Sequence, residues 1–220
     1  MKIFVDTANI DQIKQAARLG VVSGVTTNPS LLSKESTADY ETVTKSICAI
    51  IGGPVSVEVL AEDAEAMIAE ARVKASWAPN VNIKIPVTAE GLRATSVLSK
   101  EKIKINMTLC FSVNQALLGA LAGAAYVSVF VGRLDDAGHD GMQVVRDVLD
   151  VLENYPHLST EVIAASLRHP LHCVEAARAG AHIATVPYGL LMQMIQHPFT
   201  DVGIKRFLAD WQRVAGPGKG

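Results

Sequence analysis

Residues 80–91 read N-V-N-I-K-I-P-V-T-A-E-G. The β-branched run ending at Pro86 has the composition of a buried strand, yet it carries Lys84 between Ile83 and Ile85. In a strand the side chains alternate between faces, so the two isoleucines point one way and the ammonium the other. A fold is needed in which one face of the strand meets an apolar layer and the other meets something that tolerates a lysine.

Seven further runs of this kind occur along the chain, near residues 2–5, 21–25, 54–59, 103–107, 126–131, 161–165 and 182–186. Between them lie segments of helical period, such as D-A-E-A-M-I-A-E-A-R-V-K-A (63–75) and D-G-M-Q-V-V-R-D-V-L-D-V-L (140–152). Asp63 and Asp140 are expected as N-terminal caps or first-turn acids. Eight strand-then-helix units without a long linker predict an α/β fold, a closed (β/α)8 TIM barrel formed by a single domain over residues 1–220. An open doubly wound sheet is the alternative, but no G-x-G-x-x-G or G-x-x-x-x-G-K-[ST] follows any strand. Beyond the eighth unit, residues 201–215 predict a C-terminal extension helix, with Ile204, Phe207, Leu208 and Trp211 on one face. That face needs a cover, either the protein's own barrel or a neighbouring subunit.

The chain has 220 residues, 49% hydrophobic, with 20 basic and 22 acidic side chains and a net charge of -2. Such a balance offers no field for gripping nucleic acid and favours small-molecule chemistry. The first ten residues contain an acid and no long apolar stretch, so neither a leader peptide nor a membrane anchor is expected there, and a cytoplasmic location is. Cys48, Cys110 and Cys173 lack a C-x-x-C spacing and read as reduced core thiols. The histidines are scattered. His169 and His172 form the one close pair, with no acidic ligand near them in sequence, and no metal site is expected.

In a barrel of this kind chemistry gathers at the C-terminal ends of the strands. Polar groups recur there: Asp6, then Thr26, Thr27 and Asn28, Glu58, Lys84, Asn106 and Thr108, Ser128 with Phe130 and Arg133, and Ser166 with Arg168. Alternation turns Glu58, Lys84 and Asn106 inward, because Val57, Val59, Ile83, Ile85, Ile105 and Met107 suit the helix layer. A structural ion pair between Lys84 and Glu58 would be a costly way to stabilise a core. The functional alternative is an amine nucleophile that condenses with a ketone or aldehyde to form a Schiff base. Desolvation favours a neutral amine and a direct carboxylate neighbour opposes it, so Glu58 is expected to act through a water. Asp6 reads either as a cap for the helix beginning near Asn9 or as an acid/base across the barrel mouth. Arg133, Ser166 and Arg168 read as ordinary polar residues facing water or as two forked cations and a hydroxyl suited to a phosphate monoester.

Taken together, F-V-D-T-A-N (4–9), G-V-T-T-N-P-S (24–30), V-S-V-E-V (55–59), I-K-I-P-V-T-A-E-G-L (83–92), S-V-F-V-G-R-L-D-D (128–136) and A-S-L-R-H-P (165–170) resemble the transaldolase family. The resemblance spans essentially the whole chain and is strongest to the short-chain branch, which also holds the fructose-6-phosphate aldolases. It implies a class I Schiff-base mechanism in the pentose phosphate pathway with no metal or organic cofactor, sugar-phosphate substrates, and homo-oligomeric rings, pentamers or decamers. It further implies Lys84 as the Schiff-base lysine, Asp6 as the acid/base, and Glu58 with Thr108 around a proton-relay water. Thr26, Asn28, Asn106 and Ser128 would bind the dihydroxyacetone hydroxyls; Arg133, Ser166 and Arg168 would hold the phosphate. Val129 stands where the family pattern leads one to expect proline, on the face toward the helices. Glu58 and Phe130 resemble the transaldolase pattern, whereas the aldolases tend to carry glutamine and tyrosine there. The expectation is therefore transfer of a dihydroxyacetone unit between sugar phosphates. Release of free dihydroxyacetone, or a non-catalytic sugar-phosphate-binding barrel, are the alternatives.

Overall fold

The structure, a computed structural model, describes residues 1–35 and 39–215. Residues 36–38 and 216–220 of the expected 1–220 domain lie outside the described residues. The strands are Lys2–Asp6 (β1), Val22–Thr26 (β2), Val55–Glu58 (β3), Val81–Pro86 (β4), Ile105–Cys110 (β5), Tyr126–Phe130 (β6), Glu161–Ala165 (β7) and Ile183–Pro187 (β8). The helices are Ile10–Arg18 (α1), Pro29–Leu32 (α2), Tyr40–Ile50 (α3), Ala64–Ala75 (α4), Ala89–Lys100 (α5), Val113–Leu121 (α6), Val131–Asp136 (α7), Gly141–Glu153 (α8), Pro170–Ala179 (α9), Tyr188–Ile195 (α10) and Pro198–Ala215 (α11). Successive strands pair in parallel and β8 returns to β1, closing a (β/α)8 barrel.

Alternation separates two apolar layers. Outward residues such as Val57, Ile83, Ile85, Ile105, Met107 and Val129 join the helix faces in one continuous core. Inward residues Phe4, Tyr126, Ile163 and Ile183 form a second, smaller cluster that plugs the barrel interior. Two residues further along β1, β6 and β8, on the same face, stand Asp6, Ser128 and Thr185, while Ala165 of β7 still belongs to the apolar cluster. The interior thus changes from an apolar plug to a polar layer toward the C-terminal ends.

Local capping explains most helix starts. Asp63 accepts from Ala66 N and Asp140 from Gln143 N, as their positions predicted. Asn9, not Asp6, caps α1 by accepting from Gln12 N, which removes the capping explanation for Asp6. β5 differs from the sequence expectation of 103–107. It begins at Ile105 and continues to Cys110, because an irregularity in its pairing with β6, with Leu109 at φ 58°, extends the strand past Met107.

The C-terminal helix begins at Pro198, earlier than expected, and its apolar row is not covered by the barrel. Ile204, Phe207, Leu208 and Trp211 are 52%, 73%, 58% and 65% exposed. Packing on its own barrel, one of the two covers considered, is therefore not what this chain does. Cys48, Cys110 and Cys173 are free thiols, and burial pushes their ionisation up to about 11, 12 and 11. No helix among the described residues is long and apolar enough to cross a membrane.

Candidate active site

A cavity of about 230 Å³ opens at the C-terminal mouth of the barrel. Its wall includes Asp6, Thr26, Asn28, Lys84, Thr108, Ser128, Phe130, Arg133, Ser166 and Arg168, residues contributed by six of the strands or the segments after them. Asn106 lies beneath this surface, fully buried, where its Oδ1 accepts from Ser128 Oγ at 2.7 Å and its Nδ2 donates to Ser56 Oγ at 3.2 Å. It supports the wall rather than forming it.

Lys84 points inward as alternation required and is 5% exposed. Its Nζ donates to the Thr27 carbonyl oxygen at 2.9 Å and stands 3.0 Å from Glu58 Oε2. The expectation that a water would separate Glu58 from Lys84 is corrected by this direct ion pair. Its cause is register: Glu58 and Lys84 are Cα partners on adjacent strands, both facing in, so their side chains meet laterally.

Asp6 lies on the same wall. Burial pushes its carboxyl above the ordinary aspartate range, against the opposing pull of the Lys84 ammonium and of the Thr26 hydroxyl; Glu58 adds to the rise. Thr26 Oγ1 donates to Asp6 Oδ1 at 2.6 Å. Since that hydroxyl has one proton, its 2.6 Å contact with Thr185 Oγ1 must have Thr185 as donor. A two-hydroxyl chain therefore ends on the carboxylate. Thr185 was not singled out from sequence, although Ile183, Thr185 and Pro187 share the inward face of β8 and the signal was present. Ser30, Leu31 and Pro187 also line the cavity without having been foreseen.

Two further wall residues differ in how their polar atoms are engaged. Thr108 Oγ1 is buried, faces the cavity and has no hydrogen-bond partner among the described residues. Asn28 lines the cavity while its Oδ1 accepts from Leu31 N at 2.9 Å, fixing its amide at the start of α2.

The rim carries the two arginines. The Arg133 guanidinium lies 5.1 Å from the Phe130 ring centroid, and that ring meets Phe111 edge-on at 5.7 Å. Arg168 Nη2 donates to Asp136 Oδ2 at 2.8 Å at an exposed position. The ends of β6 and β7 approach closely because Gly132 N donates to the Ser166 carbonyl at 3.1 Å. A side chain at Gly132 would collide with that carbonyl oxygen. Ser166 holds φ 60°, a left-handed value that a β-carbon disfavours by roughly 1–2 kcal/mol. The fold also supplies the acid that His172 lacks in sequence. Asp135 Oδ2 is 3.0 Å from His172 Nε2, and His172 Nδ1 accepts from Arg168 N at 3.1 Å. Burial and the neighbouring His169 lower the His172 pKa, so the ring stays a neutral acceptor for the Arg168 loop.

Residues 3–217 match the family model described as Transaldolase/Fructose-6-phosphate aldolase. The chain belongs to this family. A protein of Dehalococcoides mccartyi named "Probable transaldolase" is 63% identical over 215 residues, covering 97% of this chain and 99% of the relative. Proteins of Desulforudis audaxviator and Methanococcus maripaludis with the same name are 60% and 57% identical over 214 and 212 residues, covering 97% and 96% of this chain and 99% and 98% of those relatives. Family membership over nearly the whole length makes this a transaldolase-type enzyme, and the cavity at the C-terminal ends of the strands is where such a barrel carries chemistry.

Proposed function

We propose that the protein transfers a dihydroxyacetone unit from a ketose phosphate, sedoheptulose 7-phosphate or fructose 6-phosphate, to an aldose phosphate, glyceraldehyde 3-phosphate or erythrose 4-phosphate. The observation that carries this reading is a buried lysine, Lys84, sharing one cavity with Asp6, Thr108 and the rim cations Arg133 and Arg168.

In this reading Glu58 takes a proton from Lys84, and the freed amine attacks the C2 ketone of the donor to give a carbinolamine. Thr108, with its unpartnered hydroxyl, and Glu58 hold the water through which protons move as the carbinolamine loses its hydroxyl as water. The resulting iminium is the electron sink. Asp6 takes the C4 hydroxyl proton, the C3–C4 bond breaks, its electrons enter the iminium to form an enamine, and the aldose phosphate leaves. The enamine carbon then attacks the aldehyde of the acceptor, Asp6 returns its proton to the new hydroxyl, and hydrolysis of the imine frees Lys84. A carboxyl raised by burial is the stronger base at working pH, which suits this exchange.

Thr26, Asn28 and Ser128 are read as contacts for the dihydroxyacetone hydroxyls, with Asn106 holding Ser128 in place. Arg133, Ser166 and Arg168 are read as the phosphate clamp, Arg168 exchanging its Asp136 partner for the anion. The carboxylate of Glu58 and the hydroxyl-free ring of Phe130 favour an enamine that waits for an acceptor over one that is protonated and released. The uncovered apolar row on α11 supports assembly into pentameric or decameric rings, and a monomeric mass by light scattering would contradict it. Soluble sugar phosphates fit a cytoplasmic enzyme of the pentose phosphate pathway.

The test is a donor assay with fructose 6-phosphate in the presence and absence of erythrose 4-phosphate. Sedoheptulose 7-phosphate with glyceraldehyde 3-phosphate checks the reverse direction. Turnover that requires the acceptor supports transfer. Substantial free dihydroxyacetone without acceptor indicates the aldolase instead, and binding without turnover a non-catalytic barrel.

A further inference from the structure

Glu58 sits where β3 has lost the neighbour on one of its sides. β2 pairs with β3 only at Val25↔Val55 and Thr26↔Ser56, after which the chain turns into α2 with Asn28 as its cap. On the other side Val59 N donates to the Lys84 carbonyl, so the odd-numbered main-chain groups face β4. The N–H and C=O of Glu58 therefore face the gap left by β2, and buried main-chain groups need partners.

Side chains from two helices outside the barrel fill that gap. Tyr40 Oη, at the start of α3, accepts from Glu58 N at 2.9 Å. Lys74 Nζ, on α4, donates to the Glu58 carbonyl at 2.7 Å. Lys74 is only 6% exposed and is itself held by Glu70 Oε1 at 2.7 Å. The other oxygen of that carboxylate, Glu70 Oε2, accepts from Leu60 N and Ala61 N at 2.9 and 3.0 Å, so the loop after β3 is gripped by the same carboxylate. Lys74 Nζ also lies 4.5 Å from the Tyr40 ring centroid, and Trp77 braces that ring edge-on at 5.6 Å.

Counting protons extends the network to the second partner of Lys84. Thr27 Oγ1 gives its proton to the Ser56 carbonyl at 2.8 Å, so its 3.4 Å contact with Tyr40 Oη has the tyrosine as donor. Burial raises the Tyr40 pKa, which keeps that proton in place. One hydroxyl thus touches both Glu58, whose carboxylate meets Lys84, and Thr27, whose carbonyl accepts from Lys84.

We propose that Tyr40 and Lys74 are positioning residues for the reaction: they stand in for the missing strand and hold Glu58 and Thr27 at the fixed separation from Lys84 Nζ that proton exchange requires. A purely structural role would be served by any cover over the gap. This network instead converges on two residues, through the Glu58 main chain and the Thr27 hydroxyl, whose carboxylate and carbonyl contact one amine. The inference rests on the reading of Lys84 as the Schiff-base nucleophile.

The test is a timed reaction with fructose 6-phosphate, quenched by borohydride, with the adduct read by intact mass. Tyr40→Phe removes a single oxygen. Its rate constant for adduct formation is expected to fall about tenfold, with an unchanged final trapped fraction and an unchanged half-saturating concentration of fructose 6-phosphate. Lys74→Met is expected to fall further and Lys74→Arg to recover part of the loss; if Lys74→Met does not fold, the other two variants decide. A Tyr40→Phe enzyme with the unaltered rate constant, or one that loses only its trapped fraction, overturns the positioning role. Absence of any adduct in the unaltered enzyme overturns the Schiff-base reading instead, so the two failures are distinguishable.

Discussion

Lys84 Nζ and Glu58 Oε2 stand 3.0 Å apart because β3 and β4 pair the two residues in register with both side chains turned into the barrel. Ion pairs this well buried are seldom the most stable way to fill a core, so the presence of one behind a cavity that Lys84 lines argues for chemistry. Glu58→Gln keeps the shape and removes the charge. The variant is expected to lose about 2 kcal/mol of stability, since Lys84 exchanges a charged acceptor for a neutral one. Transfer to erythrose 4-phosphate should fall while the share of donor released as free dihydroxyacetone rises. A denaturant titration and a product ratio measure the two effects, and an unchanged ratio would contradict the proton-relay role.

Asp6 gives a pH dependence of definite sign. Its carboxyl is raised by burial above the ordinary 3.8. Just above that value the folded protein still holds a proton that the unfolded chain has released, so this group lowers stability as pH rises through the window. Asp6→Asn removes the titration. Wild type should lose stability relative to the variant as pH climbs from 3.8 through the folded value, read by urea midpoints across acid to neutral pH. Turnover of the variant should fall by about 100-fold or more. A stability difference that grows in the opposite direction would show that the Lys84 attraction, not burial, governs this carboxyl.

Thr108 separates function from stability. Its buried hydroxyl has no partner among the described residues, so Thr108→Val removes a group that bonds to none of them. Stability should stay within about 0.5 kcal/mol of wild type or rise, whereas the step that loses water from the carbinolamine should slow about tenfold. Single-turnover trapping beside thermal unfolding checks both, and an equally active variant would remove Thr108 from the relay.

The barrel was legible because each strand combines β-branched residues with a period of two, and the same period placed Lys84, Glu58 and Asn106 on the inner face. What a period cannot supply is separation. Alternation put Glu58 and Lys84 on one wall, but their direct contact follows from register, which only the closed sheet sets. The extra length of β5 depends on a left-handed Leu109, a backbone state that carries no residue signature here. Thr185 was readable and passed over, whereas Tyr40 and Lys74 were not readable at all. They come from helices outside the barrel, and their contacts with Glu58 exist only because β2 ends before it. The meeting of Arg133 and Arg168 at one rim depends in the same way on Gly132, where β6 and β7 close to a distance that excludes a side chain.

The central claim is a covalent bond between Lys84 and the donor ketose. It is tested most directly by reducing the enzyme with borohydride in the presence of fructose 6-phosphate and mapping the mass increase by peptide digestion. The expected result is an adduct of the dihydroxyacetone unit or the intact ketose on the peptide carrying Lys84, with neither adduct nor turnover in Lys84→Ala. An unmodified Lys84 in the active enzyme, or wild-type turnover in Lys84→Ala, would contradict it.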